Sequence, residues 1–274
     1  MTPQDPSSGR AGRVIALANQ KGGVGKTTTA INLAEALVQE GKRILLIDLD
    51  PQGNASTGLG VGARQRDLSI YNVLTESRPL ADAALACGDS GLFLVPATPD
   101  LAGLEAELGG LEGRAERLRS AIRGRGETRL TDWYDYIIID CPPSLNLLTV
   151  NAMTAADTVL VPLQCEFFAL EGLSQLLATV KRVQNRLNPA LRVEGIVLTM
   201  YDRRNNLSAQ VAEDVRLNLG DSVFETIIPR NVRLSEAPSY AMPGLLYDPN
   251  CAGSIAYRAL ARELLRREQA RIAA

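Results

Sequence analysis

Short apolar runs without in-and-out alternation recur along the chain, and stretches with helical spacing separate most of them. Val14–Ala18 reads as a buried strand that Gly22, Gly23 and Gly25 bring to an end. From Thr27 to Glu40 the apolar residues Ile31, Ala34, Leu37 and Val38 fall at helical intervals, and Gly41 supplies the stop. Ile44–Ile47 is a second strand, followed directly by Asp48-Leu49-Asp50-Pro51. Further runs are Leu92–Val95, Tyr136–Ile139, Thr158–Val161, Val193–Thr199 and Val223–Ile228. Strands with no polar face are strands covered on both sides, which is how parallel sheets are built. The rhythm therefore predicts an α/β fold: a doubly wound, mostly parallel sheet with helices on both faces. Residues 1–13, with Pro3, Pro6, Ser7, Ser8, Gly9 and Gly12, read as a flexible tail, and 14–274 as one domain. The least regular stretch, 109–130, is rich in Gly and Arg; a helix is expected within Arg114–Ile122 and surface loop around it.

Composition narrows the chemistry. With 29 basic against 31 acidic side chains the net charge is −2, so there is no whole-surface basic field, and nucleic-acid binding requires a local patch. The chain has no histidine, which removes Ser-His-Asp triads, histidine metal sites and histidine pH switches together. Cys87, Cys141, Cys165 and Cys251 lie far apart, as reduced thiols of a cytosolic protein do. Neither a secretory signal nor an apolar run long enough to span a bilayer is present, so a cytoplasmic protein without a membrane partner is expected.

The densest chemistry lies in Gln20-Lys21-Gly22-Gly23-Val24-Gly25-Lys26-Thr27-Thr28. Gly25-Lys26-Thr27 matches the end of the phosphate-loop pattern G-x-x-x-x-G-K-[ST], although Gln20 stands where that pattern has its first glycine. Glycines let consecutive backbone N–H groups turn inward onto phosphate oxygens, and the following helix adds its positive end. The fold expected is therefore that of the P-loop NTPases, with Gly22, Gly23, Val24, Gly25, Lys26, Thr27 and Thr28 around ATP. Lys26 is the residue to reach the β- and γ-phosphates, and the Thr27 hydroxyl the one to ligate Mg²⁺.

Carboxylates complete such a site. Ile137-Ile138-Ile139-Asp140 is an apolar strand ending in an acid, so Asp140 is expected at the Mg²⁺, through water. Asp48 and Asp50 follow the second strand at i, i+2 spacing, which on extended chain sends both side chains to one side. One would assist the metal while the other directs the attacking water.

Lys21-Gly22-Gly23-Val24-Gly25-Lys26-Thr27 resembles the deviant Walker A loop of the partition, septum-positioning and nitrogenase-iron-protein ATPases. Asp48-Leu49-Asp50-Pro51-Gln52-Gly53-Asn54, Asp140-Cys141-Pro142-Pro143-Ser144, Gln164-Cys165-Glu166, Ala169-Leu170-Glu171-Gly172-Leu173 and the segment Ile228–Pro238 extend the resemblance to the ParA/Soj partition proteins. It implies an ATP-sandwich homodimer in which Lys21 contacts the partner's nucleotide. It also implies non-specific binding to double-stranded DNA on the nucleoid and hydrolysis stimulated by a ParB-type protein. By the same resemblance Asp48 assists the metal, Asp50 is catalytic, Pro229 and Asn231 lie on the adenine side, and Arg204 and Arg233, with Arg230 weaker, meet DNA. Arg258, Arg262 and Arg266 line the last helix beside Tyr257, Leu260 and Leu264; solvated charge is the expected role, an extension of the DNA face the other. The 18 residues ahead of Asn19 are too few for a helix-turn-helix module, so no operator binding is expected. A MinD-like membrane ATPase shares the loop, but the weakly apolar end Glu268–Ala274 makes a poor anchor. An iron–sulfur carrier lacks paired cysteines, and a small-molecule synthetase lacks residues announcing a substrate pocket.

Overall fold

A computed structural model describes residues 11–88, 91–124, 129–166 and 169–273. In these residues the strands are β1 (Arg13–Leu17), β2 (Ile44–Asp48), β3 (Leu85–Ala86), β4 (Leu92–Val95), β5 (Tyr136–Asp140), β6 (Thr158–Gln164), β7 (Arg192–Tyr201) and β8 (Val223–Pro229). They form one sheet in the order β3-β4-β2-β5-β1-β6-β7-β8. Every pairing is parallel except β3 with β4 at the edge. The helices are α1 (Lys26–Gln39), α2 (Asn54–Gly58), α3 (Ile70–Glu76), α4 (Leu104–Glu107), α5 (Arg117–Arg123), α6 (Leu130–Trp133), α7 (Leu147–Ala155), α8 (Ala169–Arg186), α9 (Asn206–Leu219), α10 (Val232–Glu236), α11 (Gly244–Tyr247) and α12 (Ala252–Ala273).

The reason the strands lack a polar face is now visible. Val14 and Ala16 of β1 belong to one buried cluster, with residues of α3, α5, α7, α8 and α9. Ile15 and Leu17 belong to a second on the other face, with α1, α10, α11 and α12. Alternate residues thus enter different cores, as in any sheet covered twice. This is the doubly wound architecture that the spacing predicts. β1 lies between β5 and β6, so the chain leaves it in one direction toward β2 and β5 and in the other toward β6. The carboxyl ends of these central strands bound the crevice where ligands bind in such sheets.

Three local findings go beyond the sequence reading. β3, a two-residue antiparallel edge strand paired with β4, is too short for a periodic pattern to reveal. Arg13, the last residue of the expected tail, already belongs to the sheet, while residues 1–10 lie outside the described part. The arginines of α12 are mostly engaged rather than loose in solvent. Arg262 pairs with Glu40 at 2.7 Å, Arg267 lies over the Phe224 ring and pairs with Glu263, and Arg271 pairs with Glu194 at 2.9 Å.

Glu194 ties the two ends of the described chain together. Its side chain is wholly buried, and Arg13 approaches it at 2.6 Å from the other side. Burial alone would raise its carboxyl, but Arg13 and Arg271 together hold it below the ordinary carboxylate range. A group depressed in this way contributes stability that is complete above its unfolded pKa and fades as pH falls through the lower folded value. Glu194→Ala should therefore cost about 3 kcal/mol in urea unfolding at neutral pH, since it takes the shared carboxylate from Arg13 and Arg271 and leaves Arg13 only Glu268, at 3.2 Å. The deficit should narrow in acid, where the wild type loses the same pair; equal midpoints at neutral pH would deny Glu194 this role.

Candidate active site

The loop between β1 and α1 closes on itself. Gly23 and Gly25 have φ of 74° and 85°, a left-handed backbone that glycine adopts without cost. Those turns aim the loop at the start of α1, where Thr29 N–H donates to the Gly25 carbonyl at 2.8 Å. Two neighbouring strands pin the loop from outside. The Asn19 amide donates to the Pro162 carbonyl at 2.8 Å while its oxygen accepts from Lys21 N–H at 3.1 Å. The Thr199 hydroxyl on β7 donates to the Val24 carbonyl at 2.9 Å. Neither Asn19 nor Thr199 stood out in the sequence, because their partners are loop carbonyls and have no residue signature.

The two lysines of the loop have opposite settings. Lys26 is only 6% exposed, and its ammonium donates to the Lys21 carbonyl at 2.8 Å, folded back into the curl. Burial lowers its pKa, opposed by the neighbouring Asp140 and Asp50 carboxylates. The Lys21 side chain is 44% exposed and forms an ion pair with Glu166, on the turn after β6. In the sequence Glu166 has no signature beyond its place in Gln164-Cys165-Glu166.

The structure brings Asp48, Asp50 and Asp140 together below the loop and gives each a different setting. Asp48 and Asp140 lie opposite each other in the β2–β5 register. Both Asp140 oxygens are buried with no hydrogen-bond partner. Burial, with the Asp48 charge adding to it, pushes the Asp140 carboxyl well up; the nearby Thr27 hydroxyl tempers the shift without completing a hydrogen bond. A buried carboxylate left in this way fits a cation or its water shell, and Thr27 is beside it.

Asp48, expected to assist the metal, has both carboxylate oxygens engaged within its own chain. One oxygen accepts from both the N–H and the hydroxyl of Ser56, at 2.8 and 2.7 Å, and the other from Asp50 N–H at 3.3 Å. These bonds fold the segment after β2 back over the strand end. Burial raises the Asp48 carboxyl to about 6, while the Ser56 bonds oppose the rise. Asp50 is 7% exposed. Its Oδ1 accepts from Gln52 N–H at 3.0 Å and its carbonyl from Gly53 N–H at 2.9 Å, and among the described residues its Oδ2 makes no hydrogen bond. No set of three or more His, Cys, Asp or Glu side chains converges as a ready-made metal cage among the described residues. That suits Mg²⁺, which keeps waters and takes few protein ligands.

A cavity of about 310 Å³ opens beside Thr27 and Thr28 and is walled by Ile31, Asn54, Pro238 and Met242. Pro229 and Asn231 do not line it; Asn231 caps α10 by accepting from Arg233 N–H at 2.9 Å. A larger cavity, about 640 Å³, involves Arg78, Arg117, Arg129 and Trp133, and it shares no residue with the loop or its carboxylates. Size alone therefore does not select the site. Part of the irregular 109–130 stretch borders this second cavity, and residues 125–128 lie outside the described part.

The three arginines expected at DNA are not equivalent. Arg204 is held by its neighbour Asp202, and Arg233 by Glu236 at 2.9 Å and Asp248 at 3.5 Å. Arg230 is exposed and forms no ion pair among the described residues. The pairing of Tyr201 with Pro229 brings the turns carrying Arg204 and Arg230 to the same end of the sheet.

Residues 12–193 match the model of a family described as an AAA domain. The chain is 61% identical over 259 residues to the chromosome partitioning protein ParA of Caulobacter vibrioides, covering 94% of this chain and 96% of that one. It is 51% identical to the sporulation initiation inhibitor protein Soj of Bacillus subtilis, over 92% of this chain and 98% of the relative. Among solved structures it is similar to a Mycobacterium smegmatis protein described as cobyrinic acid a,c-diamide synthase with bound ADP and magnesium. The TM-score is 0.79 at 40% identity, covering 94% of this chain and 96% of that one.

Proposed function

The chain belongs to the ParA/Soj family of partition ATPases, and from that premise we propose an ATP-operated dimer that holds DNA and releases it on hydrolysis. Backbone N–H groups from Gly22 to Thr28 and the positive end of α1 hold the triphosphate. Lys26 leaves the Lys21 carbonyl for the phosphates. Thr27 and, through water, Asp140 would hold Mg²⁺; the ADP and magnesium bound by the similar Mycobacterium smegmatis structure support a magnesium nucleotide as the ligand. When bound, the ion neutralises charge on the β- and γ-phosphate oxygens. Asp50 offers its unoccupied oxygen to the attacking water, and the products are ADP and phosphate. Asp48 keeps Asp50 in place.

The observation that carries the dimer is the division between the two lysines. A cation buried in the loop serves its own nucleotide, whereas one on the rim is placed to serve another's. Closure of two copies face to face brings each Lys21 to the other's phosphates and joins their arginine-bearing ends into one surface. Arg230 is ready for a DNA phosphate as it stands, while Arg204 and Arg233 must first exchange a carboxylate for one. Hydrolysis, stimulated by a ParB-type protein on its own DNA site, removes the γ-phosphate that Lys21 holds and opens the dimer. The place of action is the cytoplasm, on the nucleoid.

A membrane-positioning role has less support. Tyr257, Leu260 and Leu264 of α12 are buried against the core, so that apolar stripe is not offered to lipid. A synthetase role, as in the description of the Mycobacterium smegmatis protein, rests on lower identity than the partition relatives have. Light scattering with Mg-ATP, Mg-ADP and no nucleotide tests the proposal, together with co-sedimentation on random-sequence DNA. A doubled mass and DNA retention in ATP alone are expected. A single mass in all three conditions would sink it.

A further inference from the structure

Lys21 is held by a residue of its own chain, and both sides of that contact are built. On one side Asn19 fixes the Lys21 backbone and is itself tied to Pro162 of β6. On the other, Glu166 N–H donates to the Gln164 carbonyl at 2.9 Å, and the Glu166 carbonyl accepts from Ala169 N–H at 3.0 Å. With both backbones set, the side chains of Lys21 and Glu166 meet across the crevice as an ion pair, 44% and 29% exposed.

We propose that Glu166 is a positioning residue that latches Lys21 within the nucleotide-free monomer, and that each subunit must open this latch before its lysine can reach a second copy's phosphates. This rests on the reading of Lys21 as an intersubunit cation. The same lysine cannot neutralise Glu166 and a partner's phosphate at once, so the two contacts compete. The pair is partly exposed, which makes it weak and quickly exchanged, and a polyphosphate carries more negative charge than one carboxylate. Nucleotide prepares the exchange from inside the subunit. Lys26 grips the Lys21 carbonyl at 2.8 Å, and phosphates that draw Lys26 away remove that second restraint on the same residue. The latch thus keeps empty subunits from presenting an unpaired cation, and it sets a threshold for pairing that occupied subunits cross.

Glu166→Gln removes the charge and keeps the shape. One partly exposed ion pair is worth a factor of about two to five, and a symmetric dimer opens two. The dissociation constant of the Mg-ATP-dependent dimer should therefore fall about 4- to 25-fold, and wild type and variant should converge at high salt as screening erases the pair. A second readout needs no dimer. In nucleotide-free protein, Lys21 should react about two- to fivefold faster with an amine-acylating reagent in Glu166→Gln than in wild type, with Lys42 and Lys181 as internal references followed by peptide mass spectrometry. Unchanged labelling of Lys21 overturns the latch, and so does faster labelling with an unchanged or weaker dimer. Failure of the underlying reading looks different: Lys21→Ala alone would pair with ATP as well as wild type does.

Discussion

Lys26→Ala should lose nucleotide affinity by about 100-fold or more, the ~3 kcal/mol typical of removing one partner from a buried charge-assisted contact. Lys26 is the one buried cation of the loop, and Asp140 and Asp50 surround it. Its loss also leaves those carboxylates facing one another without a counter-charge, so the phosphates would meet an unshielded negative site. Calorimetric titration with Mg-ATP measures the effect, with circular dichroism to confirm a retained fold. Wild-type affinity in the variant would mean that Lys26 only closes the loop through its bond to the Lys21 carbonyl.

Asp50 affects a different step. Asp50→Ala should reduce turnover by about 100-fold or more, the range for removing a group that handles the proton of a nucleophile, while ATP binding and ATP-dependent pairing persist. The variant should therefore stay on DNA after wild type has left. Loss of the turn that Asp50 caps is the competing explanation, and Asp50→Asn separates the two. Asparagine keeps an acceptor for Gln52 N–H but lacks the carboxylate charge. If turnover by Asp50→Asn equals that of wild type, Asp50 is a turn residue and the water has another guide.

Most of the sheet was legible because its physical cause is local: strands covered on both faces leave continuous apolar runs, as in Ile44–Ile47 and Ile137–Ile139. The loop was legible for the same reason, since glycines with positive φ, a lysine and a hydroxyl at fixed spacing are its chemistry. What could not be read depends on partners distant in sequence. Nothing along the chain announces that Ser56 folds onto the Asp48 carboxylate. The arginines of α12 look like a free basic face until Glu40, Phe224 and Glu194 are placed opposite. Lys21 and Glu166 carry no mutual signal along the chain, and only the neighbouring ends of β1 and β6 bring them together.

The central position of β1 also bears on how the chain is made. Its neighbours are β5 and β6, with Arg13 opposite Tyr136 and Ile15 opposite Thr158. On the ribosome β1 therefore has neither neighbour until the chain has been translated through Tyr136–Asp140 and Thr158–Gln164. During that interval a nascent chain carries Val14-Ile15-Ala16-Leu17 with both edges open, an arrangement suited to capture by a chaperone or by another unfinished copy.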